Sequence, residues 1–369
     1  MNITKLYLHN FRNYTEESVE FSPNLNIIIG KNAQGKTNIL EAIFLMTIGR
    51  SPRTNKDKDM VKMGENISHI SITVNKKIGF KKVDMYLFPD RAKSIKIDDI
   101  GIKKIGQLLG TYNSIYFSPN ELKLIKDSPD ERRKFMDIDL CQFDRNYFYN
   151  LSTYNQILAQ RNKLLKNPDT LALKNTISIW DEQLSSTGAK IILDRLKFVE
   201  KLKVIAKKIH SNLTSNEEDL DISYQGYTAN SEEELKKLLL SKYNQNLDKD
   251  IRLGYTTVGP HRDDLKIEAN GIDLRSFGSQ GQQRTSALSL KLSELEIFKN
   301  SVGEYPILLL DDVLSELDDT RKLKLLEYIA PMQTLLTCTE FDFDVPHNKI
   351  HVSNGSLAWR PTGSQYIHF

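Results

Sequence analysis

Cysteine is nearly absent from this chain: of 369 residues only Cys141 and Cys338 carry a thiol. Two distant cysteines build neither a disulfide scaffold nor a zinc-ligand spacing, so both are expected as reduced core residues. Long apolar runs are missing too, and Met1-Asn2-Ile3-Thr4-Lys5-Leu6 has no charged segment leading into an apolar stretch. That argues against a membrane span or a secretion signal, and the expectation is a cytoplasmic protein with no membrane partner. There are no internal repeats, no low-complexity tract and no sustained heptads. Nor is there an excess of either charge, since 51 Lys and Arg face 48 Asp and Glu for a net charge of +3. A nucleic-acid partner would have to be met through local patches.

What is present is ordinary globular material, 39% hydrophobic and 27% charged, long enough for two or three domains. Up to about residue 120 the chain reads mostly as strands. Lys5–His9, Ile70–Val74 and Lys82–Phe88 alternate apolar and polar residues, and Asn75-Lys76-Lys77-Ile78-Gly79 suits a hairpin turn. From Pro129 the texture becomes helical and charged, over Arg132–Gln160, Leu171–Ile209 and Glu232–Lys242, with a break at Asn167-Pro168. Within Lys190–Lys208, the residues Ile192, Leu196, Val199, Leu202 and Ile205 or Ala206 make one apolar face. This run is too short for an extended arm and reads as one helix of a packed lobe. Strand signals return after Asp250 and peak at Tyr305-Pro306-Ile307-Leu308-Leu309-Leu310.

Chemistry enters at Gly30-Lys31-Asn32-Ala33-Gln34-Gly35-Lys36-Thr37, which fits GxxxxGK[ST]. The apolar Leu25–Ile29 before it reads as a buried strand, and Ile39, Leu40, Ile43 and Phe44 after it have helical spacing, which is the context this phosphate loop requires. Glycines let backbone NH groups curl around phosphate oxygens while the following helix offers its positive end. Lys36 is expected to neutralise the β and γ phosphates of ATP, and Thr37 to hold Mg²⁺. A second anion site opens at Ser279-Gln280-Gly281-Gln282-Gln283-Arg284, at the start of a helix bearing Leu288, Leu292, Leu295 and Phe298. Alone it is a serine N-cap. A third element, Ile307–Leu310 followed by Asp311 and Asp312, reads as a central strand ending in two carboxylates. Asp311 would join Thr37 at the metal, and Asp312 would orient or deprotonate the attacking water.

Taken in order, these motifs with Ser315-Glu316-Leu317-Asp318 resemble the ABC-type ATPase superfamily, in which two heads sandwich two ATP molecules. Three further segments narrow the resemblance to the RecF family of recombination mediators. They are Leu8-His9-Asn10-Phe11-Arg12-Asn13-Tyr14, the stretch from Ser118-Pro119-Asn120 through Ser128–Phe135, and Gly259-Pro260-His261-Arg262-Asp263-Asp264.

The resemblance implies an α/β P-loop ATPase head with an antiparallel β region and an inserted helical lobe, divided as 1–120, 121–248 and 249–369. It implies an ATP-dependent homodimer on duplex, gapped or junction DNA, slow hydrolysis, and action with RecR- and RecO-type partners to load RecA during fork recovery and the SOS response. Ser279, Gly281 and Gln282 of one subunit would then face the nucleotide of the other. No glutamine stands at Phe117–Asn120, and a threonine in Leu336-Thr337-Cys338-Thr339 replaces the superfamily's switch histidine. With Asp312 in place of the usual glutamate, weak turnover is expected. Arg12, with Phe11 and Tyr14, is a candidate to stack on adenine or pair with phosphate, and His261 and Arg262 are candidate site residues. For DNA the candidates are Arg50, Arg53, Lys56 and Lys58, together with Arg132, Arg133 and Lys134. The rival from another class is the nucleotide-binding subunit of an ABC-type transporter, whose ATPase should ignore DNA.

Overall fold

The computed structural model describes residues 1–167 and 171–359; Pro168, half of the expected Asn167-Pro168 break, lies outside them. The chain begins with β1 (Asn2–Phe11), β2 (Tyr14–Glu20), β3 (Leu25–Ile29), α1 (Lys36–Ile48), β4 (Ser68–Lys76), β5 (Gly79–Leu87), β6 (Ser94–Ile97), β7 (Ile100–Gly101) and β8 (Ser114–Phe117). Then come α2 (Lys123–Lys126), α3 (Pro129–Phe143), α4 (Arg145–Leu165), α5 (Leu171–Leu213), β9 (Leu220–Gln225), α6 (Glu232–Gln245) and α7 (Leu247–Leu253). Next are β10 (Asp264–Ala269), β11 (Ile272–Asp273), α8 (Leu274–Phe277) and α9 (Gln280–Val302). The chain closes with β12 (Ile307–Asp311), α10 (Asp319–Ile329), β13 (Thr334–Cys338), β14 (Asn348–Ser353) and β15 (Ser356–Trp359).

These elements form two compact units, one from Met1–Glu121 with the chain from Phe298 onward, the other Leu122–Ile297. The first unit contains two six-stranded sheets. One is antiparallel, β2-β1-β4-β5-β6-β7, and its alternation places Ile70, Ile72 and Val74 of β4 on the buried face. The other is mixed, β15-β14-β3-β13-β12-β8, with every pair parallel except the β14–β15 hairpin. Strand β12 is buried along its whole length, as a central parallel strand must be. Its register sets Asp311 opposite Thr337 and Leu310 opposite Phe117, while Cys338 lies opposite Ile29. The carboxyl ends of β3, β13, β12 and β8 therefore lie level, which is where open α/β sheets bind ligands.

The second unit packs α5, a helix of 43 residues, against α4, α6 and β9, beside the three-stranded sheet β11-β10-β9. Ile192, Val199, Leu202 and Ala206 are buried in its core with Tyr147, Tyr154 and Leu239. The helical stretch expected over Arg132–Gln160 is two helices, because Asp144 leaves helical backbone and its side chain accepts from Asn146 N (2.8 Å) to cap α4. Residues 249–297, grouped with the head in the sequence reading, pack with this second unit. The reason is local: β10 pairs with β9 and α7 continues from α6.

Candidate functional site

Strand β3 delivers the chain into the phosphate loop, and α1 leaves it with Ile39, Leu40, Ile43, Leu45 and Met46 all buried. That packing fixes the helix axis. Gly35 caps α1 with φ of 117°, no side chain satisfies the first turn, and a Cβ there would meet the side chains of Asn13 and Tyr14 below 3 Å. Glycine is thus required twice over, and the helix N-terminus keeps its NH groups for an anion. Lys36 Nζ arches over the loop, donating to the carbonyls of Gly30 (2.5 Å) and Lys31 (3.1 Å). Lys31, Asn32 and Ala33 form the exposed crest, with Ala33 in the left-handed region at φ of 63°.

Three hydroxyls converge on Asp311. Thr37 Oγ1 and Thr337 Oγ1 each donate to Oδ1 at 2.8 Å, and Tyr116 Oη donates to Oδ2 at 2.8 Å. Burial, together with the Asp311 carboxylate, pushes the Tyr116 phenol well above its ordinary range, so it remains a donor. Thr337 also accepts from Asp312 N (3.0 Å), whose residue is held at φ of 54° while its carbonyl takes the Ser315 hydroxyl (2.7 Å). The hydroxyl and carboxylate of Thr37 and Asp311 are the oxygen donors a hard divalent cation takes. Among the described residues there is no cluster of three or more His, Cys, Asp or Glu able to cage a metal. Such a site suits Mg²⁺ arriving with a phosphate substrate and its own waters, and would supply charge neutralisation there.

Of the threonines in Leu336-Thr337-Cys338-Thr339, it is Thr337 that reaches Asp311. Tyr116 gave no signal in sequence, since Ser114–Phe117 reads as an apolar strand and only the pairing of β8 with β12 brings its phenol to Asp311. Asn120, which ends the segment Phe117–Asn120 that lacks a glutamine, is exposed just beyond β8.

Other candidates move. Phe11 and Tyr14 are fully buried, so neither can stack on a base; the Tyr14 hydroxyl instead donates to the Gly35 carbonyl (3.0 Å). Arg12 spends its fork on the buried Glu41 (2.9 and 2.5 Å) and on the Asp59 carbonyl (2.6 Å). Arg53, also bonded to Glu41 (3.2 Å) and to Asn38 (2.8 Å), stays 45% exposed, while Arg50, Lys56 and Lys58 are exposed. Arg132 cannot reach a DNA phosphate: it is 2% exposed and forks onto Asp264 at 2.5 and 3.0 Å. Arg133 is bound to the Asp263 carbonyl (2.5 Å) and to Asp130, leaving Lys134 as the exposed member of that run.

In the second unit, Ser279 precedes α9 in a reciprocal capping box. Its Oγ accepts from Gln282 N (3.2 Å), and Gln282 Oε1 accepts from Ser279 N (3.0 Å). Ser279, Gln280 and Gly281 are exposed, so the start of this 23-residue helix is accessible. His261 lies within the second unit, half-buried. It bridges the Tyr154 hydroxyl (2.7 Å) and the Thr256 carbonyl (3.0 Å), and burial drops its pKa to about 4. Beside it Arg195 holds the Pro260 carbonyl (2.6 Å) and Asp263 (3.4 Å), so the Gly259–Asp264 segment is a framework of the helical unit.

Comparison with known proteins agrees with this geometry. A family model described as an AAA domain matches residues 5–324. The DNA replication and repair protein RecF of Clostridium botulinum strain 657 is 47% identical over 363 residues, covering 97% of this chain and 99% of its own. That of Clostridium acetobutylicum is 43% identical over the same coverage. A solved structure of the recombination mediator protein RecF with ATP, in the RecFOR pathway, superposes with a TM-score of 0.91 at 37% identity and 97% coverage of both chains. The Smc head domain of Pyrococcus furiosus shares the fold alone, with a TM-score of 0.56 at 19% identity. With its phosphate loop, its level strand ends and full-length relatives of this kind, the chain belongs to the RecF family of DNA replication and repair proteins, ATPases of the ABC type.

Proposed function

We propose that this chain is an ATP-dependent DNA-binding protein of recombinational repair and replication-fork recovery, and a slow ATPase. The observation that carries the reading is the Asp311 carboxylate gripping the Thr37 hydroxyl of the phosphate loop at 2.8 Å. Lys36 neutralises the β and γ phosphates, and Gly30–Gly35 cradle them through backbone NH groups. Thr37 and Asp311 would hold Mg²⁺, whose chemistry when bound would be charge neutralisation at the phosphates. Tyr116 and Thr337 orient Asp311, and Asp312 acts on the attacking water. An aspartate is shorter than the superfamily's glutamate, which agrees with weak turnover.

In the same reading ATP joins two subunits. Ser279, Gly281 and Gln282 at the exposed start of α9 cap the γ-phosphate held by the partner, so this second anion site works with the head although it packs in the second unit. The functional division is then 1–120 and 249–369 as head, with 121–248 as helical insertion. The dimer acts in the cytoplasm on duplex, gapped or junction DNA with RecR- and RecO-type partners, aiding RecA loading and the SOS response. Hydrolysis, stimulated by DNA, resets it. Arg50, Arg53 and Lys56 are the proposed phosphate contacts, since they are exposed where Arg132 is not. No helix among the described residues is long and apolar enough to cross a membrane.

Sedimentation with and without ATP and Mg²⁺, on the wild type and on Lys36→Arg and Ser279→Arg, followed by duplex binding, tests this reading. ATP-dependent dimers that bind DNA, lost in both variants, are expected. A monomer indifferent to nucleotide and DNA would overturn the composite site.

A further inference from the structure

The phosphate loop is held from behind by a part of the chain some 320 residues away. Strands β14 and β15 pair through Ser353 and Ser356, leaving Asn354 and Gly355 as a two-residue turn with φ of 50° and 71°. Positive φ at both positions is the type I′ geometry that Asn-Gly favours. From this turn Asn354 N donates to Gln34 Oε1 (2.5 Å) and Gly355 N donates to the Gln34 carbonyl (3.1 Å). The same carbonyl accepts from Asn13 Nδ2 (2.9 Å), and the next one, on Gly35, accepts the Tyr14 hydroxyl (3.0 Å). Asn13 is itself oriented, because its Oδ1 accepts from Asn38 Nδ2 (2.8 Å) in the first turn of α1. The turn and Asn13 are packed so closely that a Cβ on Gly355 would stand 2.6 Å from the Asn13 carbonyl oxygen.

We propose that Asn13 and the Asn354-Gly355 turn are positioning residues for the nucleotide. They fix Gln34 and Gly35, the apex of the phosphate loop, before ATP arrives. A glycine-rich loop has much freedom to lose on binding an anion, and ordering it beforehand moves that entropic cost from the binding step to folding. Donors on the protein side occupy the carbonyls of the apex and so keep them from turning toward the phosphates. Asn13 is the node, since it touches the loop, α1 and the turn together. Neither Asn13 nor Asn354 belongs to the GxxxxGK[ST] pattern, so the motif by itself does not announce them. The inference rests on the nucleotide-binding reading of this site.

The test is titration of a fluorescent ATP analogue into wild type, Asn13→Ala, Asn13→Asp and Gly355→Ala, with melting in the absence of nucleotide and steady-state hydrolysis alongside. Asn13→Asp keeps the acceptor for Asn38 but loses the donor to Gln34. All three variants should weaken binding and raise KM about tenfold while kcat stays within about twofold. Melting of the two Asn13 variants without nucleotide should stay within about 2 °C of wild type, because Asn13 is exposed; Gly355 is buried at φ of 71° against the Asn13 carbonyl, so Gly355→Ala is expected to melt lower. Unchanged affinity in Asn13→Ala and Asn13→Asp would overturn the proposal, as would losses in these two variants that simply track a fall in nucleotide-free melting. Failure of the wild type to bind the analogue would instead sink the nucleotide-site reading, and this inference with it.

Discussion

The helical unit and the phosphate site of the head both bury charged side chains, but they use them differently. In the helical unit Arg161 is fully buried between Asp181 (2.5 Å) and Asp250 (2.7 Å), and Arg195 lies between Asp137 (2.8 Å) and Asp263 (3.4 Å). These guanidinium groups face carboxylates of their own chain, and Arg195 is held well above its ordinary range by Tyr147 and the nearby carboxylates despite burial. In the head, Asp311 is also mostly buried, yet its partners are neutral hydroxyls of Thr37, Thr337 and Tyr116. Hydroxyl partners leave its negative charge uncompensated, whereas a guanidinium would cancel it. The lesson is that a buried carboxylate paired with guanidinium serves the framework, whereas Asp311, met by hydroxyls alone, keeps the charge that the proposed cation site needs.

The contrast can be broken most severely at Arg161. Changing Arg161→Met strands two buried carboxylates and should cost about 3–5 kcal/mol in denaturant unfolding while the ATP-analogue affinity of the folded protein is kept. At Asp311 the expected pattern is reversed. Asp311→Asn should cut turnover by about 10²–10³-fold with little change in melting, and full activity in that variant would remove Asp311 from the metal site.

Acid sharpens the comparison further, through the helical unit. His261 is neutral in the folded state with its pKa near 4, below the ordinary 6.5, so the unfolded chain binds more protons between those values. Its contribution to stability is present above about pH 6.5 and is lost as pH falls toward 4. Asp263, raised to about 6 chiefly by burial, works in the opposite sense: it favours folding below its unfolded value, and that advantage disappears as pH rises through about 6. A His261→Gln variant should therefore lose stability less steeply than wild type between pH 6.5 and 4, by on the order of 2 kcal/mol, as urea melts at each pH would show. Parallel curves would mean that His261 titrates normally. The smallest effect is expected at Tyr116→Phe, where one hydrogen bond to Asp311 is lost. Worth about 1 kcal/mol, it should lower turnover roughly fivefold and leave melting nearly unchanged.

Much of the head was legible because its signals are local. The phosphate loop needs contiguous glycines between an apolar strand and a helix, and Asp311 ends the most apolar run of the chain. The apolar face through Ile192, Val199, Leu202 and Ala206 announced a packed helix for the same reason. Side-chain type alone says less about which cations stay available. Arg12, Arg132 and Arg133 look like phosphate contacts in a list of residues, but Glu41 and Asp264 lie 29 and 132 positions away in sequence from the arginines they hold.

By itself the sequence determined where the candidate site residues fall, which segments become strands or helices, and how glycine shapes the loop, because each depends on neighbours within a few positions. Only the tertiary structure decided which charges are spent, that Tyr116 and Thr337 meet at Asp311, and that a turn at Asn354-Gly355 grips Gln34. Those outcomes depend on strand order and register, which bring distant residues within hydrogen-bond reach, and short-range pattern carries no record of such encounters.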